Sequence, residues 1–96
     1  MVVGLLTLEI EIPESNSLKA KRAVLNKLKT RVRNAFNVSI AEVDDNEVWN
    51  YATLGVAALS NQQAYVNQVL DKIVDHVESM RECVLVDHGM DFMTVS

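Results

Sequence analysis

Cysteine is nearly absent: Cys83 is the only one among 96 residues. An internal disulfide is therefore excluded, and so is a thiol-rich metal site. A single proline and three glycines leave few interruptions, which fits an ordinary globular composition and neither a disordered nor a fibrous one. No glycine-rich phosphate cradle is present. Long hydrophobic runs are missing as well. The apolar opening Met1–Leu6 meets Glu9 and Glu11 too soon to form a secretory core, and no positive region precedes it. No window approaches the ~20 apolar residues of a membrane span. The expectation is a soluble cytoplasmic protein, folded as one domain over residues 1–96.

Acid is absent from one stretch, and that absence is informative. The formal net charge is −4, from nine Lys plus Arg against thirteen Asp plus Glu. An acidic total argues against a nucleic-acid binder. Yet Lys19, Lys21, Arg22, Lys27, Lys29, Arg31 and Arg33 fall within fifteen acid-free residues. That stretch carries +7, and the remainder, with two cations and thirteen acids, carries −11. Such asymmetry is a physical clue to partners rather than to fold.

What is present is clear periodicity. Leu6, Leu8, Ile10 and Ile12 alternate with Leu5, Thr7, Glu9 and Glu11, predicting a strand over 2–12 with its acids on the open face. Pro13 ends it, and Ser17 is the N-cap candidate for a helix over Leu18–Asn34. Val38–Val43 reads as a second strand, Asp44–Glu47 as an acidic turn, and Tyr51–Leu59 as a third strand. Ser60 and Gln63 form a capping-box pattern before a second helix, whose apolar face is Val66, Val69, Leu70, Ile73, Val77 and Met80. The final strand, Cys83–Met93, is expected to bend near His88-Gly89. The order β-α-β-β-α-β predicts a ferredoxin-like α+β fold, a four-stranded antiparallel sheet with both helices on one face.

On a helical wheel, Leu18, Val24, Leu25, Leu28, Val32 and Phe36 fill one third of the circle. Lys19, Arg22, Lys29 and Arg33 line one edge of that arc, while Lys27 and Arg31 fall on the far side. No acid stands three or four residues from any of them within the helix, so local pairing does not neutralise them. Two readings stay open here: a merely solvated face, or a surface for phosphates or an acidic partner. Lys21 falls inside the apolar arc, which predicts either a snorkelling side chain or a buried partner such as Glu42 or Asp44.

Other candidates are weaker. Aromatics make up only 5% of the chain, the first strand has none and the third begins with Tyr51, so a base-stacking sheet is not expected. The first strand–helix loop, Pro13–Ser17, holds an acid and no Arg, unlike a phosphoryl-binding loop. Glu42 and Asp44 lack a nucleophile, so no catalytic constellation emerges and an enzyme is not expected. Asp87, His88 and Asp91 read as a polar strand edge, His76 as a packing residue and Cys83 as an inert core thiol. No cofactor or metal is called for. Trp49 is expected to plug the core between the second and third strands, or else to anchor an interface.

Three segments carry a family resemblance: Asn16-Ser17-Leu18-Lys19-Ala20-Lys21-Arg22, then Val38–Asp44 with Trp49, then Ala52-Thr53-Leu54-Gly55-Val56. Together they resemble the YlxP-like family, small bacterial proteins of unknown function. The resemblance implies a ferredoxin-like fold and a cytoplasmic protein whose relatives are often encoded beside translation and ribosome-maturation genes. It transfers no catalytic residue; it places Lys19, Lys21, Arg22, Glu42, Asp44 and Trp49 on characteristic positions. Asp45-Asn46 departs from the family pattern. The function expected is a binding module for RNA or a ribosomal particle, using the basic helix. The alternative is a homo-oligomer in which that helix meets an acidic surface of another subunit.

Overall fold

Alternation of apolar and polar residues from Val2 makes a strand with one wet face, and the heptad-like spacing after Ser17 makes a helix. The computed structural model describes residues 1–44 and 47–96. Its elements are β1 (Val2–Glu11), α1 (Leu18–Ala35), β2 (Ser39–Glu42), β3 (Tyr51–Ser60), α2 (Gln63–Glu78) and β4 (Val84–Thr94). All strand pairs are antiparallel, in the order β2-β3-β1-β4. This is the ferredoxin-like α+β fold that the element order predicts. Asp45 and Asn46, within the expected acidic turn, lie outside the described residues.

α1 packs against β2, while α2 lies across β1, β3 and β4. The core between the layers is aliphatic: Leu6, Leu8 and Ile10 from β1, Leu54 and Val56 from β3, Leu25, Leu28 and Val32 from α1, and Leu70, Ile73 and Val77 from α2. Gly4 is buried where β1 passes beneath α2; a Cβ there would stand 2.2 Å from Val66 Cγ1 and 3.0 Å from Leu70 Cδ1. The absent side chain sets the closeness of the helix to the sheet. Among the described residues, no helix is long and apolar enough to cross a membrane.

The local signals succeed and fail for physical reasons. Ser17 caps α1, its Oγ accepting a hydrogen bond from the Ala20 backbone N–H at 3.1 Å. Replacing Ser17 by Ala should lower stability by about 1 kcal/mol, read as a shifted urea midpoint at constant slope. The capping box at Ser60 does not form. β3 extends through Ser60, so α2 begins only at Gln63, with Gln62 as an N-cap that makes no side-chain bond. The β4 irregularity sits between Glu9 and Ile10 of the partner strand, where Val86 is the extra residue, rather than at His88-Gly89. Leu18 stands at the start of α1 before the sheet covers it, and it is exposed instead of joining the apolar face.

Candidate nucleic-acid interface

The turn geometry of α1 sets Lys19, Arg22, Lys29 and Arg33 within about 80° of one another around the helix axis. Lys19, Arg22 and Arg33 are exposed and Lys29 is half-buried. Among the described residues, no carboxylate comes within ion-pair range of Lys19, Lys29, Arg31 or Arg33. Arg33 also donates a hydrogen bond from its guanidinium to the Ile40 carbonyl at 3.0 Å, so part of its donor set fastens β2 to α1. Arg22 is 73% exposed and reaches Glu42 only loosely, at 4.0 Å.

The chain supplies tertiary partners that a helical wheel does not reveal. Lys27 forms a close ion pair with Glu82, from the segment between α2 and β4. Its hydrogen bond is the main reason the Glu82 carboxyl is held below its ordinary range. The far side of α1 is therefore partly neutralised, while the edge carrying Lys19, Arg22 and Lys29 stays cationic. Arg31, also on the far side, remains exposed.

Lys21 is only 3% exposed. Its ammonium donates to the Val48 carbonyl at 2.9 Å and stands 3.7 Å from Glu42. This is the buried-partner arrangement, with Glu42 as the acid. Glu42, half-buried between Lys21 and Arg22, is thus occupied as a counter-ion. The Asp44 carboxylate oxygens are shielded from water and meet no hydrogen-bond donor among the described residues. Trp49 is 53% exposed and does not plug the core. β2 ends at Glu42, well before Trp49, and Ile40, Leu54 and Val56 are the larger side chains that β2 and β3 contribute to the core.

His76 is half-buried with its ring edge-on to Phe36, the centroids 6.2 Å apart, as a packing residue should be. Cys83 is buried, and burial pushes its thiol up from the ordinary range. Asp87, His88 and Asp91 are all exposed along β4.

The open face of the sheet holds an arrangement that sequence reasoning missed. The Glu9 carboxylate accepts hydrogen bonds from the Tyr51 hydroxyl and, at 3.0 Å, from the Thr53 hydroxyl. Cross-strand register creates this cluster: Glu9 pairs with Thr53 and Glu11 with Tyr51. Only the acid half, Glu9 and Glu11, was legible from alternation. The bond to Glu9, followed by burial and the fields of Glu9, Asp87 and Asp44, pushes the Tyr51 phenol from 10.0 up to about 12. The folded chain holds this proton more tightly than the unfolded chain. Its contribution to stability is therefore complete below pH 10 and is lost as pH rises to about 12. In a Tyr65→Phe background, absorbance titration should place phenolate formation near the upper value, and Glu9→Gln should move it down. A titration unaffected by Glu9→Gln would contradict the assignment.

These features define a small ferredoxin-like α+β protein with a cation-lined helix on one side and a carboxylate-bearing sheet on the other. The chain belongs to the family described as protein of unknown function (DUF503), which matches residues 3–90. It is similar to the uncharacterized protein YlxP of Bacillus subtilis (strain 168), with 36% identity over 81 residues, covering 84% of this chain and 88% of that protein. This is the family to which the segments around Lys19–Arg22 and Glu42–Trp49 point.

Proposed function

We propose that this chain is a cytoplasmic, non-enzymatic binding module that docks on structured RNA or a ribosomal particle through α1. The observation that carries the reading is the cationic edge formed by Lys19, Arg22 and Lys29, of which only Arg22 meets a carboxylate, loosely, among the described residues. Arg33 contributes at the far end of the same stripe, Arg31 adds background field, and Lys27 contributes less because Glu82 opposes it. Glu42 and Lys21 hold the stripe in place from beneath, since their contact joins α1 to β2. Phosphates meet the helix side, because the strands carry Glu9, Glu11, Glu42, Asp87 and Asp91 and no Lys or Arg.

Three or four phosphate contacts give a salt dependence of log K on log salt of roughly −2 to −4, from about −0.7 to −0.9 per contact. Sucrose-gradient fractionation of lysate at low and high salt tests this. Co-migration with ribosomal subunits that high salt abolishes is the expected result. A free small species at both salts overturns it.

A further inference from the structure

Among the described residues no helix or strand covers the face of the sheet turned away from both helices, and its two ends differ, one mostly apolar and the other acidic. Toward one end, Val3, Leu5, Ala57, Leu59 and Met93 are brought side by side by the β4-β1-β3 register, with the Asp91 carboxylate at the β4 edge opposite Leu5. Leu5, Leu59 and Met93 are 38%, 62% and 49% exposed. At the other end stand Glu9, Glu11 and Asp87, with Tyr51 and Thr53 between β1 and β2. Between the halves, Thr7 pairs with Gly55 and Gly89, and Gly55 pairs with Ala41. This shallow floor opens into a cavity of ≈ 360 Å³ lined in part by Leu5, Thr7, Ala41, Val43 and Gly55. No Lys or Arg occurs on any of the four strands.

We propose that this face docks a cationic, amphipathic polypeptide segment, whose apolar side chains cover the Leu5–Leu59 half while its Lys or Arg residues meet Glu9 and Asp87. Charge complementarity selects the occupant. A polyanion is repelled by the acidic half and has nothing to gain from the apolar half. A second copy of the same face is also a poor match. Two strands of ten residues, one of eleven and the four-residue β2, about 4.8 Å apart and rising about 3.3 Å per residue, give a face of roughly 550 Å². A symmetric pairing over the apolar half alone would bury only about 550 Å² in total, below the ~1,200 Å² of specific interfaces. Extending it to the whole face would bring carboxylates from two copies together without a single cation. The basic helix of another copy brings cations, but beside Lys19, Arg22 and Lys29 it offers a single large exposed apolar side chain, Leu18, to the Leu5–Leu59 half. A basic amphipathic segment of another protein satisfies both halves together. Its site is independent of the α1 edge, which lies on the opposite layer.

Fluorescence anisotropy with a labelled synthetic peptide tests the proposal, using a probe with leucines spaced along one half and lysines along the other. The intact chain should bind this probe more tightly than a lysine-only peptide of equal length, and should not bind a leucine–glutamate analogue. Glu9→Gln with Asp87→Asn, and separately Leu5→Ser with Leu59→Ser, should each weaken binding by about tenfold or more, where tenfold is 1.4 kcal/mol. Circular dichroism melts establish that these surface variants stay folded. Lys19→Glu with Lys29→Glu should leave peptide binding intact even if it removes RNA binding, so the two surfaces fail or succeed separately. Equal binding of the lysine-only peptide overturns the proposal, as does binding unaffected by both pairs of substitutions. A dimer in light scattering that Leu5→Ser with Leu59→Ser converts to monomer also overturns it, by assigning the face to a second copy.

Discussion

Reversing Lys19, Arg22 and Lys29 to Glu together should abolish the salt-sensitive association with ribosomal RNA. Each reversal removes one phosphate contact and adds one repulsion. With about −0.7 to −0.9 in the salt slope per contact, three lost contacts flatten the dependence by roughly two to three units. The affinity should fall by at least about a thousandfold, since each 1.4 kcal/mol is tenfold. The triple variant should nevertheless remain folded, because the Arg22–Glu42 contact that it turns into two acids is loose, at 4.0 Å, with Arg22 73% exposed. Lys19 and Arg22 lie in the first two turns of α1, which carries no acid in its first turn, and glutamates there oppose the positive end of the helix dipole. Arg33 is left unchanged because its bond to the Ile40 carbonyl helps hold β2. Lys27→Glu is the matching control. It sets two acids together at the Glu82 contact, so its main effect falls on stability rather than on RNA. Filter binding that is unchanged by the triple substitution would refute the α1 reading.

The second large effect is steric. Gly4→Ala should destabilise the chain by about 1–3 kcal/mol, the usual cost of overfilling a packed core. The new methyl would stand 2.2 Å from Val66 Cγ1, and a β-branched side chain on a helix has little rotameric freedom with which to retreat. Either α2 lifts from the sheet or β1 is displaced. For a domain whose total stability falls in the range of about 5–15 kcal/mol, that loss is substantial. Val66→Ala alone should also destabilise, through the cavity it leaves. Combined, the two should cost clearly less than their sum, because the methyl of one occupies the space vacated by the other. Chemical denaturation of all four cycle members measures the coupling. Strict additivity would show that Gly4 does not set the spacing between α2 and the sheet.

Element identity was legible because it depends on local periodicity. Leu6, Leu8 and Ile10 announce β1, and Leu25, Leu28 and Val32 announce α1, since neighbours a few positions apart share a face. The position of Lys21 within the apolar arc was visible for the same reason, and so was Glu42 as one of its two candidate partners. Where an outcome depends on another element, the pattern was silent. Ser60 looks like a helix cap, but pairing of Ser60 with Val2 keeps it in the sheet. Trp49 looks like core, but the short β2 leaves it outside. The Lys27–Glu82 pair joins residues far apart in sequence, and the Glu9–Tyr51–Thr53 cluster exists only once β1 and β3 have chosen a register. The stripe of cations on α1 was legible from its spacing; its partial burial at Lys29, the Arg33 bond to the Ile40 carbonyl and its partial neutralisation were not.

The long outer strand β4 carries a further consequence. Its unpaired edge is a template for strand addition, the contact from which protein aggregates grow. Asp87 and Asp91 stand two positions to either side of Gly89. Antiparallel addition of one β4 to another about that glycine would place Asp87 opposite Asp91 at two points, and like charges directly opposite are destabilising. The irregularity at Val86 distorts the ladder just beyond. The same carboxylates that give the sheet its sign therefore guard its edge against polymerisation.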